Sequence, residues 1–201
     1  MPGIVRQECK LGLIPIEVTP DLGGARLTMT QGTPSYKHVG LPASLLAQML
    51  GCAKENLPGP LPEIVSTGVD WLVAQVSGVK AMEALLPDQS LIAGTCRELG
   101  SVGITVFCLE ARDPNCQARL RTFAPGEGVP EDPVCGSGNG SVAAYIGKHG
   151  LLGQGEVGYQ VEQGIEVQRP GRVHARFLPG EPPKVKIGGQ AVKVIEGKLY
   201  L

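Results

Sequence analysis

The segment with the clearest capacity for chemistry is residues 132–140, D-P-V-C-G-S-G-N-G, which carries three glycines in its last five positions. Gly136, Gly138 and Gly140 stand where a helical pattern begins, so unpaired backbone amides can approach a ligand closely there. The intervening residues, Ser137 and Asn139, are small and polar. The start of a helix offers partial positive charge and several hydrogen-bond donors, which suits a carboxylate as well as a phosphate. The pattern therefore predicts an anion site at residues 136–139.

The same glycines are also compatible with a purely structural role. Glycines before a helix often make only a tight turn, and that alternative stays open here. Nucleotide-binding loops fit poorly, because no G-K-[ST] follows and the third glycine of a dinucleotide fingerprint is misplaced.

Asp132 and Cys135 flank the predicted anion site, so either could exchange a proton with a substrate whose carboxylate is bound there. The helix terminus is expected to lower the pKa of the Cys135 thiol and to favour the thiolate. The alternatives are structural. Cys135 can be a small buried filler, and Asp132 can cap a turn or the helix.

The elements that must position these residues are a few helices among many short strands. The helix Gly136–His149 carries an apolar stripe of Val142, Ala143 and Ile146 and ends before Gly150. Two further helices are predicted at Ala43–Leu50 and Val79–Leu86. The predicted strands are Ile4–Val18, Arg26–Thr30, Glu63–Thr67, Trp71–Val76, Val102–Glu110, Ala118–Phe123, Gly158–Val161, Ile165–Val167, Arg172–Phe177, Lys184–Ile187 and Ala191–Ile195. This mixture indicates an α+β protein with a curved, mostly antiparallel sheet or barrel wrapped on a helix.

Composition excludes several classes of function. The 201 residues carry 18 basic and 19 acidic side chains, evenly spread, so we expect no nucleic-acid partner. The longest apolar run, Ile104–Leu109, is far shorter than the roughly 20 residues that span a bilayer, so we expect no membrane partner and a cytoplasmic location. Six cysteines form no C-x-x-C pair and the three histidines are far apart, so no metal site is expected.

Four separated motifs resemble the phenazine-biosynthesis PhzF-like family, which has the diaminopimelate epimerase fold. They are the segment R-T-F-A-P-G-E-G-V-P-E-D-P-V-C-G-S-G-N-G, V-S-T-G-V-D-W-L-V-A-Q-V at Val65–Val76, E-Q-G-I-E-V-Q-R-P-G at Glu162–Gly171, and the closing Lys186–Leu201. The resemblance implies two similar domains, each a curved sheet around a central helix, with a small carboxylated substrate in the cleft between them. It also implies an isomerase or epimerase that moves a proton with side chains alone and needs no cofactor.

The resemblance assigns roles to individual residues. Asp132 and Ser137 match active-site residues of the PhzF branch. Cys135 and the three residues after it have the C-G-S-G form that carries a catalytic cysteine in related epimerases and racemases. The implied catalytic residues are therefore Asp132, Cys135 and Ser137, and the implied substrate-binding residues are Gly136, Ser137, Gly138 and Asn139.

Departures from the family pattern concern its first domain. The G-H-x-T segment and the catalytic glutamate of that domain have no match here, and the two segments at residues 8–18 and 25–34 match its closing hairpin. We therefore expect residues 1–32 to be a remnant hairpin that pairs with residues 189–201, and residues 33–188 to form the second domain. An uncovered hairpin predicts a homodimer, or a further chain that supplies the rest of the first domain.

Three hypotheses of function follow. The first is an isomerase whose missing half comes from another polypeptide or an upstream stretch, so that the isolated chain is weak or inactive. The second is a non-catalytic homologue that keeps the fold and an anion-binding helix N-terminus. The third is a purely structural or oligomerising module.

Overall fold

The computed structural model describes residues 3–9, 12–21 and 24–200. The strands are β1 (Gly3–Cys9), β2 (Gly12–Asp21), β3 (Gly24–Thr30), β4 (Ser35–His38), β5 (Glu63–Ser66), β6 (Asp70–Gln75), β7 (Gly103–Cys108), β8 (Ala118–Ala124), β9 (Val129–Asp132), β10 (Val157–Gln163), β11 (Gly171–Leu178) and β12 (Lys184–Gly189). The helices are α1 (Ala43–Leu50), α2 (Val79–Glu83), α3 (Gln89–Leu99) and α4 (Gly136–His149), with short 3-10 turns at Lys54–Asn56 and Pro125–Glu127.

All of the described strands belong to one open sheet. Its order is β1-β2-β3-β12-β11-β10-β8-β7-β6-β5-β4, and β9 pairs with β8 beside this path. Two of the pairings, β6 with β7 and β8 with β10, are parallel, and the others are antiparallel. The predicted combination of a largely antiparallel sheet with few helices is confirmed.

The middle of the sheet is covered on both faces. Along β7, Ile104 and Val106 belong to a core shared with α1, α2 and α3, while Phe107 belongs to a second core shared with α4. A strand buried on both faces needs apolar side chains at consecutive positions rather than at alternate ones. This explains why Val106, Phe107 and Cys108, at consecutive positions of this short strand, are all apolar.

The helix α4 lies against strands from both halves of the sheet. It contacts β5, β6 and β7 on one side and β11 and β12 on the other, and its residues 138–146 are buried. Gly147 permits the close approach to β11, because a Cβ there would overlap the ring of Phe177. The predicted bounds of α4 and α1 agree with the structure at both ends.

Two predicted strands are wrong, and a third is divided. Residues Ile165–Val167 form a turn, because Gly164 and Gln168 adopt positive φ and Arg169 N–H donates to the Gly164 carbonyl. Residues 190–200 contain no helix or strand, so the strand predicted at Ala191–Ile195 is absent. Ile4–Val18 is not one strand but the antiparallel pair β1 and β2. The antiparallel pairing of β2 and β3 extends as far as Asp21 and Gly24, and residues 22–23 between them lie outside the described residues.

One helix, α3, was not predicted, and another, α2, is shorter than predicted. The helix α3 has no counterpart in the prediction: its buried face consists only of Ile92, Thr95 and Cys96, too weak a stripe to stand out. Its ends are nonetheless marked, since the Asp88 carboxylate accepts from Leu91 N–H and Gly100 closes it with positive φ. The helix predicted to reach Leu86 ends at Glu83. No helix in the described part of the chain is long and apolar enough to cross a membrane.

The hairpin of β2 and β3 joins the rest of the sheet through β12. Leu27–Thr30 pair with residues 186–189, so only Gly189 lies within the range that was expected to make this contact. The pairing of residues 186–189 with β3 therefore connects the hairpin to the larger part of the sheet. The division of the chain at residue 32 stays a prediction.

A buried ion network lies on the face of β8 opposite α4. Arg119 is only 1% exposed, and its guanidinium donates to Glu162 at 3.2 Å and to Glu166 at 2.8 Å. Two residues along the same strand, Arg121 forms a bidentate pair with Glu131 at 2.8 and 2.9 Å. The network thus ties together β8, β9, β10 and the turn that follows β10.

Removing one partner of this network is expected to destabilise the fold strongly. Arg119→Met leaves the Glu162 carboxylate buried without its guanidinium, so we expect the free energy of unfolding to fall by about 3 kcal/mol or more. Urea unfolding followed by circular dichroism measures this. Arg176→Met is the matched control: it breaks the exposed pair with Glu156 and should cost less than about 1 kcal/mol. Equal losses for the two variants would contradict the assignment.

Candidate functional site

The predicted site lies where β9 passes into α4. The helix begins at Gly136, and Cys135 is its N-cap in an extended conformation, with φ −93° and ψ 106°. The small residues of this first turn allow close packing. A Cβ on Gly138 would lie 3.2 Å from both Cys135 Sγ and Thr122 Oγ1, and one on Gly140 would overlap the Gln31 side chain. Gly136 is different, because a Cβ there would meet nothing within 4 Å.

The four backbone amides predicted to bind an anion are not equivalent. Gly138 N–H donates to Cys135 Sγ at 3.3 Å, and Asn139 N–H donates to the Cys135 carbonyl at 3.0 Å. The amides of Gly136 and Ser137 have no hydrogen-bond acceptor within the part of the chain that the structure describes. Two of the four amides are thus free for a ligand, and the other two hold the N-cap.

Cys135 is 5% exposed, and its Sγ lies 3.6 Å from Ser137 Oγ. Burial raises the pKa of its thiol above the ordinary value. Hydrogen bonds with Ser137 and Gly138 act in the opposite direction, and the charge of Asp132 adds to the rise. The pKa of this thiol is therefore raised and not lowered as expected, because the loss of hydration outweighs the hydrogen bonds with Ser137 and with Gly138 at the start of the helix. The thiol stays protonated at neutral pH.

The carboxylate of Asp132 is engaged within its own turn. Its Oδ1 accepts from Val134 N–H at 3.0 Å, which is the structural capping role that its sequence position also allowed. The carboxylate also lies close enough to the Cys135 thiol to raise the pKa of that thiol. Asp132 is half-buried, so the turn directs it toward the cysteine while leaving part of it accessible.

The Ser137 hydroxyl accepts a hydrogen bond from a residue on β6. Trp71, on β6, donates its indole N–H to Ser137 Oγ at 3.0 Å. Because an indole is a donor only, the serine oxygen accepts this bond, and its own proton can be donated to Cys135 Sγ at 3.6 Å or to a ligand. Asp132, Cys135 and Ser137 therefore lie together, as the sequence predicted.

Two glutamines near the site were not predicted from the sequence. Gln163, at the end of β10, binds Cys135 N–H and the Asp132 carbonyl. Gln31 follows β3 and donates to the Gly136 carbonyl at 3.1 Å while accepting from the Thr67 hydroxyl at 2.6 Å. Gln163 lies inside the motif E-Q-G-I-E-V-Q-R-P-G, and its place there is the one signal in the sequence that could have found it.

His149 lies at the opposite end of α4, in its last turn. Its ring packs on Tyr145 at 4.4 Å between centroids, and its Nε2 lies 3.6 Å from Glu63 Oε1. It is remote from the candidate site and takes no part in it.

Comparison with known proteins identifies the same resemblance. The family model for phenazine biosynthesis-like protein, PhzC-PhzF, matches residues 2–197. An uncharacterized isomerase of Clostridium acetobutylicum is 29% identical over 94% of this chain and 65% of its own length. The trans-2,3-dihydro-3-hydroxyanthranilate isomerase of Pseudomonas aeruginosa is 28% identical over 96% of this chain and 66% of its own length.

Solved structures agree with the family match. The crystal structure of the Bacillus anthracis phenazine biosynthesis protein of the PhzF family has a TM-score of 0.87 and 26% identity. It aligns with 98% of this chain, which covers 69% of that protein. The chain thus spans about 65% of the length of the curated relatives. With the family model covering nearly every residue and the relatives named as isomerases, the chain belongs to the PhzC-PhzF family of phenazine biosynthesis-like proteins.

Proposed function

We propose that this chain is a PhzF-like isomerase or epimerase that moves a proton on a small carboxylated substrate without a cofactor. The observation that carries the proposal is the convergence of Asp132, Cys135 and Ser137 beside the two free amides at the start of α4. In this proposal α4 is the central helix of a diaminopimelate epimerase-like unit formed by residues 33–188. Residues 1–32 belong to the first unit.

The proposed chemistry divides between binding and proton transfer. The Gly136 and Ser137 amides and the Ser137 hydroxyl hold the substrate carboxylate. The Asp132 carboxylate takes a proton from a neighbouring carbon, the resulting carboxylic acid exchanges that proton with solvent, and it returns a proton to another carbon on the same side of the substrate. The neutral Cys135 thiol is a hydrogen-bond donor and the second acid of the site. All of these groups approach the substrate from one side.

A one-sided site supports only weak turnover. Proton transfer at a carbon needs a base on one side and an acid on the other, each within about 3 Å of its target, and losing one typically costs about 10²- to 10⁴-fold in rate. One oxygen of the Asp132 carboxylate also accepts a hydrogen bond from Val134 N–H. We therefore propose that the isolated chain is a weak or inactive catalyst. The alternative, a non-catalytic homologue that binds small anions, is favoured by the two free amides and by the burial of Cys135.

The hairpin strands support a homodimer. On one face of β2 and β3, Val18 pairs with Leu27 and Ile16 with Met29, yet Leu27 remains 42% exposed. The strand β1 is an edge of the sheet. We propose that a second copy covers this face.

Carboxylate binding is testable by removing a single donor. Gly136 occupies the first helical position, where proline is well tolerated, so Gly136→Pro deletes one amide N–H with little cost to the fold. We expect the dissociation constant for anthranilate, measured by NMR titration, to rise roughly tenfold. Gly136→Ala keeps the amide and is the control. If proline and alanine have the same effect, the amides do not hold the carboxylate.

Catalysis is testable with trans-2,3-dihydro-3-hydroxyanthranilate, the compound in the name of the Pseudomonas relative, followed by NMR in D₂O. We expect slow deuterium incorporation, lowered about 10²-fold or more by Asp132→Asn. Asp113→Asn, which alters a carboxylate paired with Arg172, should leave the rate unchanged. Rapid incorporation would show that this chain suffices. Anthranilate binding without any incorporation would favour the non-catalytic homologue.

The dimer is testable by light scattering at increasing concentration. We expect twice the chain mass for the wild type and the monomer mass for Leu27→Glu, because a buried unpaired carboxylate opposes association. Thr28→Glu changes the next residue, on the other face of β3, and should still dimerise. A wild-type monomer at high concentration would refute the second copy. Association only with a co-expressed first third of a relative would assign the face to that segment.

A further inference from the structure

Gln163 makes the densest set of hydrogen bonds around the candidate site. Its side chain is 1% exposed. The Oε1 atom accepts from Cys135 N–H at 3.3 Å and from Asn139 Nδ2 at 2.7 Å. The Nε2 atom donates to the Asp132 carbonyl at 3.0 Å and to Thr122 Oγ1 at 3.3 Å. A side-chain amide has two donors and two acceptor positions, so all four are used.

These four bonds fix both ends of the loop that carries the candidate site. The Asp132 carbonyl and the Cys135 amide lie on either side of Pro133 and Val134, and one rigid planar group binds both. Asn139 completes the arrangement by donating to the Cys135 carbonyl at 2.8 Å. The backbone of Cys135 is thereby held at its N–H and at its C=O, and the spacing between Asp132 and Cys135 is set by the width of the Gln163 amide.

The strand β10, which carries Gln163, is also stabilised by contacts on its other face. Its neighbour Glu162 points the opposite way, pairs with Arg119 and accepts from Arg112 N–H at 2.9 Å. Successive side chains of a strand point to opposite faces, so the ion network and the site share this strand without touching. Perturbing Glu162 therefore tests the stability of the strand, and perturbing Gln163 tests the loop.

We infer that Gln163 is the positioning residue of this site: its amide sets the geometry of the Asp132–Cys135 loop without contacting the substrate. The inference rests on the proposed function for its catalytic meaning, because Asp132 and Cys135 are the proton-transfer groups proposed above. The effect of Gln163 on the loop can be measured without catalytic turnover. Loss of the amide releases the loop, and the buried Cys135 thiol becomes accessible while the rest of the core stays closed.

The test compares the buried cysteines within one protein. Full-length variants are treated with 2,2′-dipyridyl disulfide, and the modification of each cysteine is followed by peptide mass spectrometry. In Gln163→Met, which removes all four bonds, we expect Cys135 to react roughly tenfold faster or more relative to Cys96 and Cys108, since one lost buried hydrogen bond shifts local opening by about that factor. General destabilisation would accelerate all three cysteines together.

Gln163→Glu supplies a graded second variant with a pH signature. Its carboxylate keeps the acceptors for Cys135 and Asn139 but has no donor for the Asp132 carbonyl, so an intermediate acceleration of Cys135 is expected at alkaline pH. At acidic pH the protonated carboxyl regains one donor, and the reactivity of Cys135 relative to Cys108 should fall toward the wild-type ratio.

Glu162→Gln is the matched control, one residue away on the opposite face, and should accelerate no cysteine selectively. The inference is overturned if Cys135 follows Cys96 and Cys108 in both Gln163 variants, or if the control exposes Cys135 selectively. Because cysteine reactivity is measured without substrate, failure of the proposed carboxylate binding, seen as equal effects of Gly136→Pro and Gly136→Ala on anthranilate affinity, would leave this result intact.

Discussion

The parallel register of β8 and β10 is the constraint on which the rest of the site depends. It sets Arg119 opposite Glu162 and, one step along, Leu120 opposite Gln163. On one face of the sheet the Arg119–Glu162 pair is buried. Any slip of register would leave these charges buried without their partners, at a large cost in free energy. A slip by one residue would also exchange the faces of Glu162 and Gln163. The buried ion pair therefore favours the register in which Glu162 lies on one face and Gln163, which binds the loop, lies on the other.

Local sequence was enough to predict the elements whose signals are local. The ends of α4 follow from the glycine-rich start and from Gly150, and those of α1 from Pro42 and Gly51. The segment Ile165–Val167 shows the limit of such reasoning. Its apolar and β-branched residues favour a strand, but the flanking Gly164 and Gln168 adopt positive φ, and the turn lets Glu166 reach back to Arg119. A tertiary ion pair here overrides the propensity of the segment, and propensity alone gives no indication of it.

The residues of the candidate site were predictable from the sequence, but their hydrogen-bond partners and the pKa of Cys135 were not. Asp132, Cys135 and Ser137 lie within six residues of chain, so their proximity follows from sequence distance and a helix start. The partners that decide their chemistry come from far away: Trp71 from β6, Gln163 from β10 and Gln31 from the hairpin. For the same reason, the local sequence predicts a lowered pKa for Cys135, whereas the pKa in the folded chain is raised. The helix terminus is visible in the sequence, whereas the strands and helix that exclude water from the thiol are not.

A neutral thiol is the form that this arrangement can use. Two anions already meet at the proposed site, the Asp132 carboxylate and the carboxylate of a bound substrate, and only two backbone amides are free to balance them. A thiolate at Cys135 would add a third negative charge within a weakly hydrated space and would weaken binding at Gly136 and Ser137. A protonated thiol adds no charge and can donate to either carboxylate. In the proposed mechanism, the burial that raises the pKa of Cys135 therefore keeps the cysteine compatible with an anionic ligand, and the role of base is left to Asp132.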